Sequence, residues 1–195
     1  AFRLLPVRQA DQRFLGFTFD EKFYLDLCLS MGLRSSCAIF EKFSKFVNFT
    51  VSLGMSRNQD IQHYIDDFIG MIKADAVHEP SQLDYFKNVC VELRIPLAEL
   101  KFEGPCTRLT FLGLEIDTIQ MQVRVPVEKV EATREKIQQF LQSKRISLQK
   151  LQSLLGSLSF LCRAVRLGRV FTRRLFDLTK GVKKPFYKIR ITKQA

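Results

Sequence analysis

The most informative segment of the sequence is His63-Tyr64-Ile65-Asp66-Asp67-Phe68-Ile69. Two neighbouring acidic residues stand between two apolar runs, residues 61–65 and 68–72, whose composition is typical of β-strands. Because only Asp66 and Asp67 separate the two runs, the spacing predicts a tight hairpin. Both carboxylates should lie at the tip of that hairpin.

Two neighbouring carboxylates repel each other unless a cation neutralises them. Magnesium accepts one or two protein carboxylates together with substrate phosphates, so an acidic hairpin tip suits this ion. Two such ions, roughly 3.5–4 Å apart, can activate an attacking 3′-hydroxyl and stabilise a leaving pyrophosphate. The alternative is that Asp66-Asp67 is an ordinary solvent-exposed turn, and the pair by itself does not exclude it.

Strands and helices are also predicted on both sides of this hairpin. Residues 13–19 and 22–27 predict a second hairpin. A helix follows, capped by Ser35 or Ser36, with apolar side chains every three or four residues. After a loop at 52–60 and the acidic hairpin, we predict a helix over about 83–93. Further strands are predicted at 108–111, 114–116 and 122–125.

The periodicity becomes helical at Pro126, a residue that suits a helix start. Ser147 is expected to cap a second helix, and Gly168 to end it. A third helix runs to about Asp177, and a basic tail follows. The sequence therefore predicts an α+β domain over residues 1–125 and a helical domain over 126–180.

Charge is distributed unevenly along the chain. Residues 1–120 hold 13 Lys and Arg against 16 Asp and Glu, whereas residues 121–195 hold 18 against 4. The second part has a net charge of +14 within a total of +11. A strongly basic region predicts a polyanionic partner, with nucleic acid favoured over an anionic membrane surface. A solvated face of lysines and arginines is the alternative.

The five cysteines are widely spaced, and none forms a Cys-x-x-Cys pair. This pattern argues against a disulfide framework and against a zinc site, and favours an intracellular compartment, cytoplasmic or nuclear. No run of about 20 apolar residues is present to span a membrane, and no signal peptide is apparent.

Several of these segments resemble the motifs of one protein family. Tyr64-Ile65-Asp66-Asp67 resembles the Tyr-x-Asp-Asp motif of reverse transcriptases. Other segments resemble that family's motifs in the same order: residues 1–7, 31–40, 95–105, 110–116 and 148–156. Two segments are most similar in sequence to the DIRS-type retrotransposons: residues 28–32, Cys-x-x-Met-Gly, and residues 111–118, Phe-Leu-Gly-Leu-Glu-Ile-Asp-Thr.

The resemblance implies an α+β fold, in which a palm with an antiparallel sheet and helices packed on one face precedes a helical thumb. Residues 1–125 would be the palm with a remnant of the fingers, 126–180 the thumb, and 181–195 the start of a connection segment. The implied activity is DNA synthesis on RNA and DNA templates by two-metal nucleotidyl transfer with Mg²⁺. The implied partners are an RNA template, a DNA primer, deoxynucleoside triphosphates, and the fingers and RNase H parts of a polyprotein, with no membrane.

The resemblance also assigns roles to single residues. Asp66 and Asp67 would be catalytic metal ligands, and Lys101 would act on the pyrophosphate. The predicted nucleotide-binding residues are Phe2, Gly32, Arg34 and Tyr64, with the ring of Phe2 excluding a ribose 2′-hydroxyl. The predicted primer and template contacts are Leu112, Gly113, Arg163, Arg166, Arg169 and Arg173, and Arg174 is a further candidate.

One departure limits the expected activity. The Asp of the family's first metal-binding motif should lie four residues before Ala1, so this chain does not contain it. We therefore expect the 195 residues alone to extend a primer poorly or not at all. The alternative function is a non-catalytic, basic nucleic-acid-binding module derived from a retroelement, in which Asp66 and Asp67 are vestigial.

Overall fold

The computed structural model describes residues 2–57, 59–73 and 82–191. The chain divides into two compact units, Ala1–Pro105 and Cys106–Ala195. Strands 108–124 therefore group with the helices that follow them, although the change of periodicity at Pro126 predicts a boundary near residue 125. The assignment of palm, thumb and connection segment stays a prediction.

The first unit contains two antiparallel hairpins and three helices. In chain order its elements are α1 (Gln9–Gln12), β1 (Gly16–Phe19), β2 (Lys22–Leu25), α2 (Ser36–Ser52), β3 (Gln59–Tyr64), β4 (Asp67–Ile72) and α3 (Gln82–Glu92). Strand β1 pairs with β2, and β3 pairs with β4 from Gln59↔Ile72 to Tyr64↔Asp67. Both predicted hairpins are confirmed, although β1 is shorter than residues 13–19.

The core of this unit lies between α2, β3 and α3. Val47 and Val51, one turn apart on α2, pack with Ile61 of β3 and with Val89 and Cys90 of α3. All five side chains are buried. Burial of aliphatic side chains of this size contributes about 1.5–3 kcal/mol each before entropy is counted, so this cluster holds α2 against the β3–β4 hairpin.

The start of α2 differs from the expected serine cap. Ser35 occupies the N-cap position, but its side chain accepts no capping hydrogen bond. The hydroxyl of Ser36, which is buried, instead donates to the carbonyl oxygen of Ser30 at 2.6 Å. This serine therefore ties the preceding loop to the helix start and satisfies no orphan N–H of the first turn.

The second unit places a three-stranded sheet and a short strand pair beside three helices. Its elements are β5 (Arg108–Phe111), β6 (Leu114–Asp117), β7 (Gln122–Arg124), α4 (Val127–Leu141), β8 (Arg145–Ser147), α5 (Leu148–Leu161), α6 (Gly168–Asp177) and β9 (Lys188–Arg190). The sheet order is β5-β6-β7, and β8 pairs with β9. Residues 188–190 of the predicted connection segment thus form a strand with β8.

The core of the second unit is built on α5. Leu148, Leu151, Leu154 and Leu155 are buried together with Phe140 of α4 and Ile189 of β9. Ser147 accepts a hydrogen bond from the backbone N–H of Lys150 at 3.4 Å, so the predicted cap of this helix is confirmed. The leucine spacing of three and four residues places one apolar face of α5 in this core.

Gly168 was predicted to end α5, but it is the first residue of α6. Helix α5 ends at Leu161, and the chain then turns back so tightly that a Cβ atom at Gly168 would lie 2.7 Å from the sulfur of Cys162. A Cβ at this position would force the Cys162 side chain to move, so glycine fits this close approach of the chain to itself. Its presence therefore marks the reversal between two helices.

The fold class is α+β with antiparallel pairing throughout, as predicted. Within residues 2–57, 59–73 and 82–191, the pairing is divided among four small sheets, three of two strands and one of three. Among the helices that the structure describes, none has both the length and the hydropathy that crossing a bilayer requires.

Candidate active site

The acidic pair lies at the tip of the β3–β4 hairpin. Tyr64 pairs with Asp67, so the two turn residues are Ile65 and Asp66, and Asp67 already belongs to β4. Ile65 has a φ of 56°, an uncommon value for a β-branched residue. Both Asp side chains are exposed. The predicted tip is confirmed, and the turn itself lies one residue earlier than predicted.

Aromatic packing anchors the hairpin beneath this tip. His63 and Phe68, which are cross-strand partners, stack with their ring centroids 5.5 Å apart. Phe68 then packs on Phe86 of α3, with the centroids 5.2 Å apart. Because Asp67 directly precedes Phe68, the position of the carboxylates is held by these side chains. The acids are thus exposed on an anchored hairpin.

The first half of α2 contacts strand β3 of the acidic hairpin. A carboxylate oxygen of Glu41 is 3.4 Å from Nε2 of His63, the residue before Tyr64. One residue earlier on α2, Phe40 packs edge-on against Phe2, with the ring centroids 5.0 Å apart. Phe2 and His63, which lies three residues before Asp66, therefore contact neighbouring positions in the first half of α2, although they are far apart in the sequence.

The loop that contains Gly32 joins α2 at this same end. Gly32 has a φ of 88°, in the left-handed region that favours glycine, and no atom lies within 4 Å of the position a Cβ would take. The hydrogen bond from Ser36 to Ser30 holds the loop to the helix. Arg34 in this loop is exposed. The backbone at Gly32 is thus open to the approach of another molecule.

Lys101 lies farther along the chain, in a short 3-10 turn, and its side chain is exposed. Its neighbour Phe102 packs edge-on against Phe86, with the centroids 6.3 Å apart, and Lys87 lies 4.9 Å from the centre of the Phe102 ring. Phe86 in turn packs on the acidic hairpin. These rings link the segment of Lys101 to the base of the hairpin, and within the described residues no contact joins Lys101 to the carboxylates.

The donor set at the tip fits a magnesium ion. In the described part of the chain, no ion pair or hydrogen bond engages the side chains of Asp66 or Asp67. Both offer carboxylate oxygens, the ligands that Mg²⁺ prefers. No group of three or more His, Cys, Asp or Glu side chains within the described residues forms a metal cage. Further ligands would therefore come from water, substrate or other residues.

Asp117 contrasts with the acidic pair, because its carboxylate is engaged in hydrogen bonds and ion pairs. Asp117, buried at the end of β6, accepts hydrogen bonds from Arg108 at 2.9 Å and from Arg124 at 3.3 Å. The backbone N–H groups of Ile119 and Gln120 also donate to it. The hydrogen bond from Gln120, followed by that from Arg108, lowers the pKa of the Asp117 carboxyl. Its oxygens are committed to holding the sheet.

Asp117 was not among the residues singled out from the sequence. It stands directly opposite Arg108 in the β5–β6 pairing, so only the strand register brings the two charges together. The signal in the sequence was an acid at the end of an apolar strand with a basic residue nine positions earlier. That spacing is informative only once the hairpin turn is placed at Leu112-Gly113.

The β5–β6 turn belongs to the second unit. Leu112 and Gly113 have φ values of 49° and 76°, the combination of a two-residue hairpin turn with two left-handed positions. The side-chain ammonium of Lys129 donates to the carbonyl oxygen of Gly113 at 3.2 Å and lies 4.3 Å from the centre of the Phe160 ring. The predicted turn is confirmed, and its contacts to α4 and α5 were not foreseen.

The predicted nucleic-acid-binding arginines cluster around the connection from α5 to α6. Arg163 and Arg166 lie in that connection, and Arg169 and Arg173 lie on α6. All four are exposed. Arg163 lies 5.7 Å from the centre of the Phe160 ring. These cations share one region of the second unit, where they create a local positive field.

The same unit has a shallow cavity of about 310 Å³ that the sequence did not indicate. It lies between α5 and α6, and its lining residues are Gln152, Leu155, Gly156, Ser159, Phe176 and Thr179. No residue in this lining had been assigned a role.

Comparison with known proteins identifies the fold. The chain is similar to solved structures of a foamy viral protease-reverse transcriptase. The similarity to its complex with RNA/DNA hybrid has a TM-score of 0.72 at 19% identity over 99% of this chain. For the two complexes with double-stranded DNA the TM-scores are 0.70 and 0.63, each at 20% identity over 97% of this chain. This chain spans 24% to 36% of the length of those chains.

No model of a protein family matches the sequence, and no curated protein matches it. The likeness at 19–20% identity therefore shows a reverse-transcriptase-like fold.

Proposed function

We propose that this chain is part of the polymerase region of a retroelement reverse transcriptase of the DIRS type. In this proposal it takes part in RNA-directed DNA synthesis by two-metal nucleotidyl transfer. The observation that carries the proposal is the convergence at the beginning of α2. His63 below the acidic tip, the ring of Phe2 and the loop that contains Gly32 all contact the first half of that helix.

The acidic tip is proposed as the metal site. Asp66 and Asp67 would hold Mg²⁺ through their carboxylate oxygens. When bound, Mg²⁺ would stabilise the negative charge that develops on the attacking and leaving oxygens of phosphoryl transfer. The chain itself supplies the anchored hairpin, because the stacked His63 and Phe68 hold the tip against α2 and α3. A positioned site loses less entropy when the substrate binds.

The beginning of α2 is proposed as the site of the incoming deoxynucleoside triphosphate. The positive end of the α2 macrodipole lies there and favours an anion. Gly32 leaves its backbone accessible, and Arg34 and Tyr64 are exposed nearby in the Gly32 loop and beside the tip. Phe2, held by Phe40, would leave no room for a 2′-hydroxyl. Lys101 would neutralise the charge of the leaving pyrophosphate.

The second unit is proposed as the part that binds the template and primer. Arg163, Arg166, Arg169 and Arg173 are exposed in a region of high positive charge, and such side chains bind phosphates without reading sequence. Leu112-Gly113 would contact the primer end. The proposed partners are an RNA template and a DNA primer, together with the fingers and RNase H parts of the parent polyprotein.

A paramagnetic nucleotide complex tests the metal site. A Mn²⁺–deoxynucleoside triphosphate complex should broaden the NMR amide signals of residues 63–68 and of the Gly32 loop. The β1–β2 hairpin offers a matched control, because its turn also carries two neighbouring acids, Asp20 and Glu21. Asp66→Asn should weaken the complex by about tenfold or more, since it removes a charged ligand, whereas Asp20→Asn should not. Equal broadening at both hairpins would show an ordinary acidic turn.

The alternative, a non-catalytic nucleic-acid-binding module, is supported by the charge of the second unit alone. Both functions predict that the chain binds an RNA/DNA duplex. Only the polymerase proposal predicts that a bound duplex and the metal–nucleotide complex strengthen each other's binding.

A further inference from the structure

The β5–β6 turn has two features that require an external support. Leu112 adopts a left-handed φ of 49°, which is uncommon for a residue with a bulky side chain. The turn also leaves the carbonyl oxygen of Gly113 available to a donor from elsewhere in the fold. A turn of this kind is held in one place only when other residues contact it.

Lys129 supplies that contact from the first turn of α4. Its ammonium donates to the Gly113 carbonyl oxygen at 3.2 Å and lies over the Phe160 ring of α5, 4.3 Å from its centre. A Cβ atom at Gly113 would lie 2.1 Å from the Lys129 nitrogen and 3.3 Å from the Phe160 ring. One cation thus joins the turn and two helices, and a Cβ at position 113 would displace it.

The position of Lys129 is otherwise unfavourable for a cation. It is the third residue of α4, where the positive end of the helix dipole disfavours a lysine. The carbonyl dipole of Gly113 and the negative face of the Phe160 ring offset this repulsion. A lysine at position 129 therefore does not stabilise α4. Its contact with the β5–β6 turn accounts for the residue type.

We infer that Lys129 is a positioning residue that holds the Leu112-Gly113 turn where it contacts the primer terminus. This inference rests on the proposed function, which places the 3′ end of a primer at that turn. Lys129 acts through the turn, so its loss should displace the contact between turn and primer while leaving the affinity for duplex largely intact. Lys129→Met keeps an apolar stem over Phe160 and removes an unfavourable charge from α4, so the variant should fold.

The matched control is Lys136→Met. Lys136 lies on the same helix and donates to the hydroxyl of Ser157 on α5 at 2.8 Å, so it also joins α4 to α5. Lys136→Met removes the same charge from α4 but leaves the contact with the turn in place. The probe is an RNA/DNA duplex whose recessed DNA primer ends in photoreactive 4-thiothymidine. Anisotropy of a dye on the duplex gives the Kd of each 195-residue variant, and mass spectrometry locates the cross-link.

In the unaltered chain, the cross-link should map to residues 111–114. Lys129→Met should lower its yield at saturating duplex by about threefold or more, the effect of losing one hydrogen bond and one cation–π contact. Lys129→Arg should restore the yield because it can make both contacts. Gly113→Ala should also lower the cross-link yield, because the added Cβ would displace the Lys129 ammonium from the turn. The Kd values of the two Met variants should agree within about twofold, since each loses one cation.

Four results would overturn the inference and are distinguishable. If the unaltered chain fails to bind the duplex, the proposed function fails and this inference fails with it. If it binds but the cross-link is unchanged in Lys129→Met, only the positioning role is wrong. If the cross-link maps outside 111–114, the primer contact proposed for the turn is wrong as well. If Lys136→Met loses the cross-link equally, the effect is general charge loss and Lys129 has no special role.

Discussion

Replacing Leu151 by Ala tests the core that holds the basic second unit together. The Leu151 side chain is fully buried at 0% exposure on α5. Its cluster includes residues from α4, α5 and β9. Because the surrounding elements constrain one another, the cavity cannot fully collapse, and we expect a loss in the upper part of the usual range, about 3–5 kcal/mol.

Amide hydrogen exchange of the whole chain measures this loss. Peptides from residues 148–161 should exchange about 100- to 4,000-fold faster in Leu151→Ala, since each 1.4 kcal/mol corresponds to a factor of ten. The matched control is Leu141→Ala, because Leu141 is 74% exposed at the end of α4. This control should cost less than about 0.5 kcal/mol. Acceleration below about tenfold for Leu151→Ala, or an equal effect in the control, would refute this account of the core.

Three further predictions concern charge and reactivity. Because hydrogen bonds lower the pKa of Asp117 from its ordinary value of 3.8, its stabilising contribution should be present above pH 3.8 and lost as the pH falls through the lowered pKa. Urea unfolding should therefore show that Asp117→Asn destabilises the second unit at pH 6 but progressively less below pH 3.8, and a constant difference would contradict this. Burial raises the pKa of the Cys90 thiol, so iodoacetamide should alkylate exposed Cys37 at least about 100-fold faster than Cys90, with comparable rates counting against the packing. In duplex binding, Arg169→Gln should reduce the slope of log K against log salt by about 1, and an unchanged slope would remove Arg169 from the interface.

Much of the local structure was predictable because it depends on neighbouring residues. The two hairpins of the first unit, the cap at Ser147 and the turn at Leu112-Gly113 follow from apolar runs separated by short polar or glycine-containing breaks. The acidic tip was predicted for the same reason. The error at the tip was one residue, since the pairing of Tyr64 with Asp67 leaves Ile65 in the turn.

The predictions that failed concern residues whose role depends on distant contacts. Ser36 has the side chain of a cap, but burial turns its hydroxyl toward Ser30. Gly168 has the composition of a helix end, but it lies where the chain passes close to Cys162. Serine is common at helix starts and glycine at helix ends, so both predictions followed local propensity. In both cases tertiary packing gives the residue a different role.

From the amino-acid sequence alone we could predict the α+β class, the order of the elements, the acidic tip and the uneven charge. These properties follow from periodicity and composition, which involve residues only a few positions apart. The tertiary structure was needed to show that Phe2, His63 and the Gly32 loop all contact the first half of α2, and that Lys129 contacts the turn at Gly113. Such contacts depend on how helices pack against hairpins, and the free energy of that packing is spread over many buried side chains.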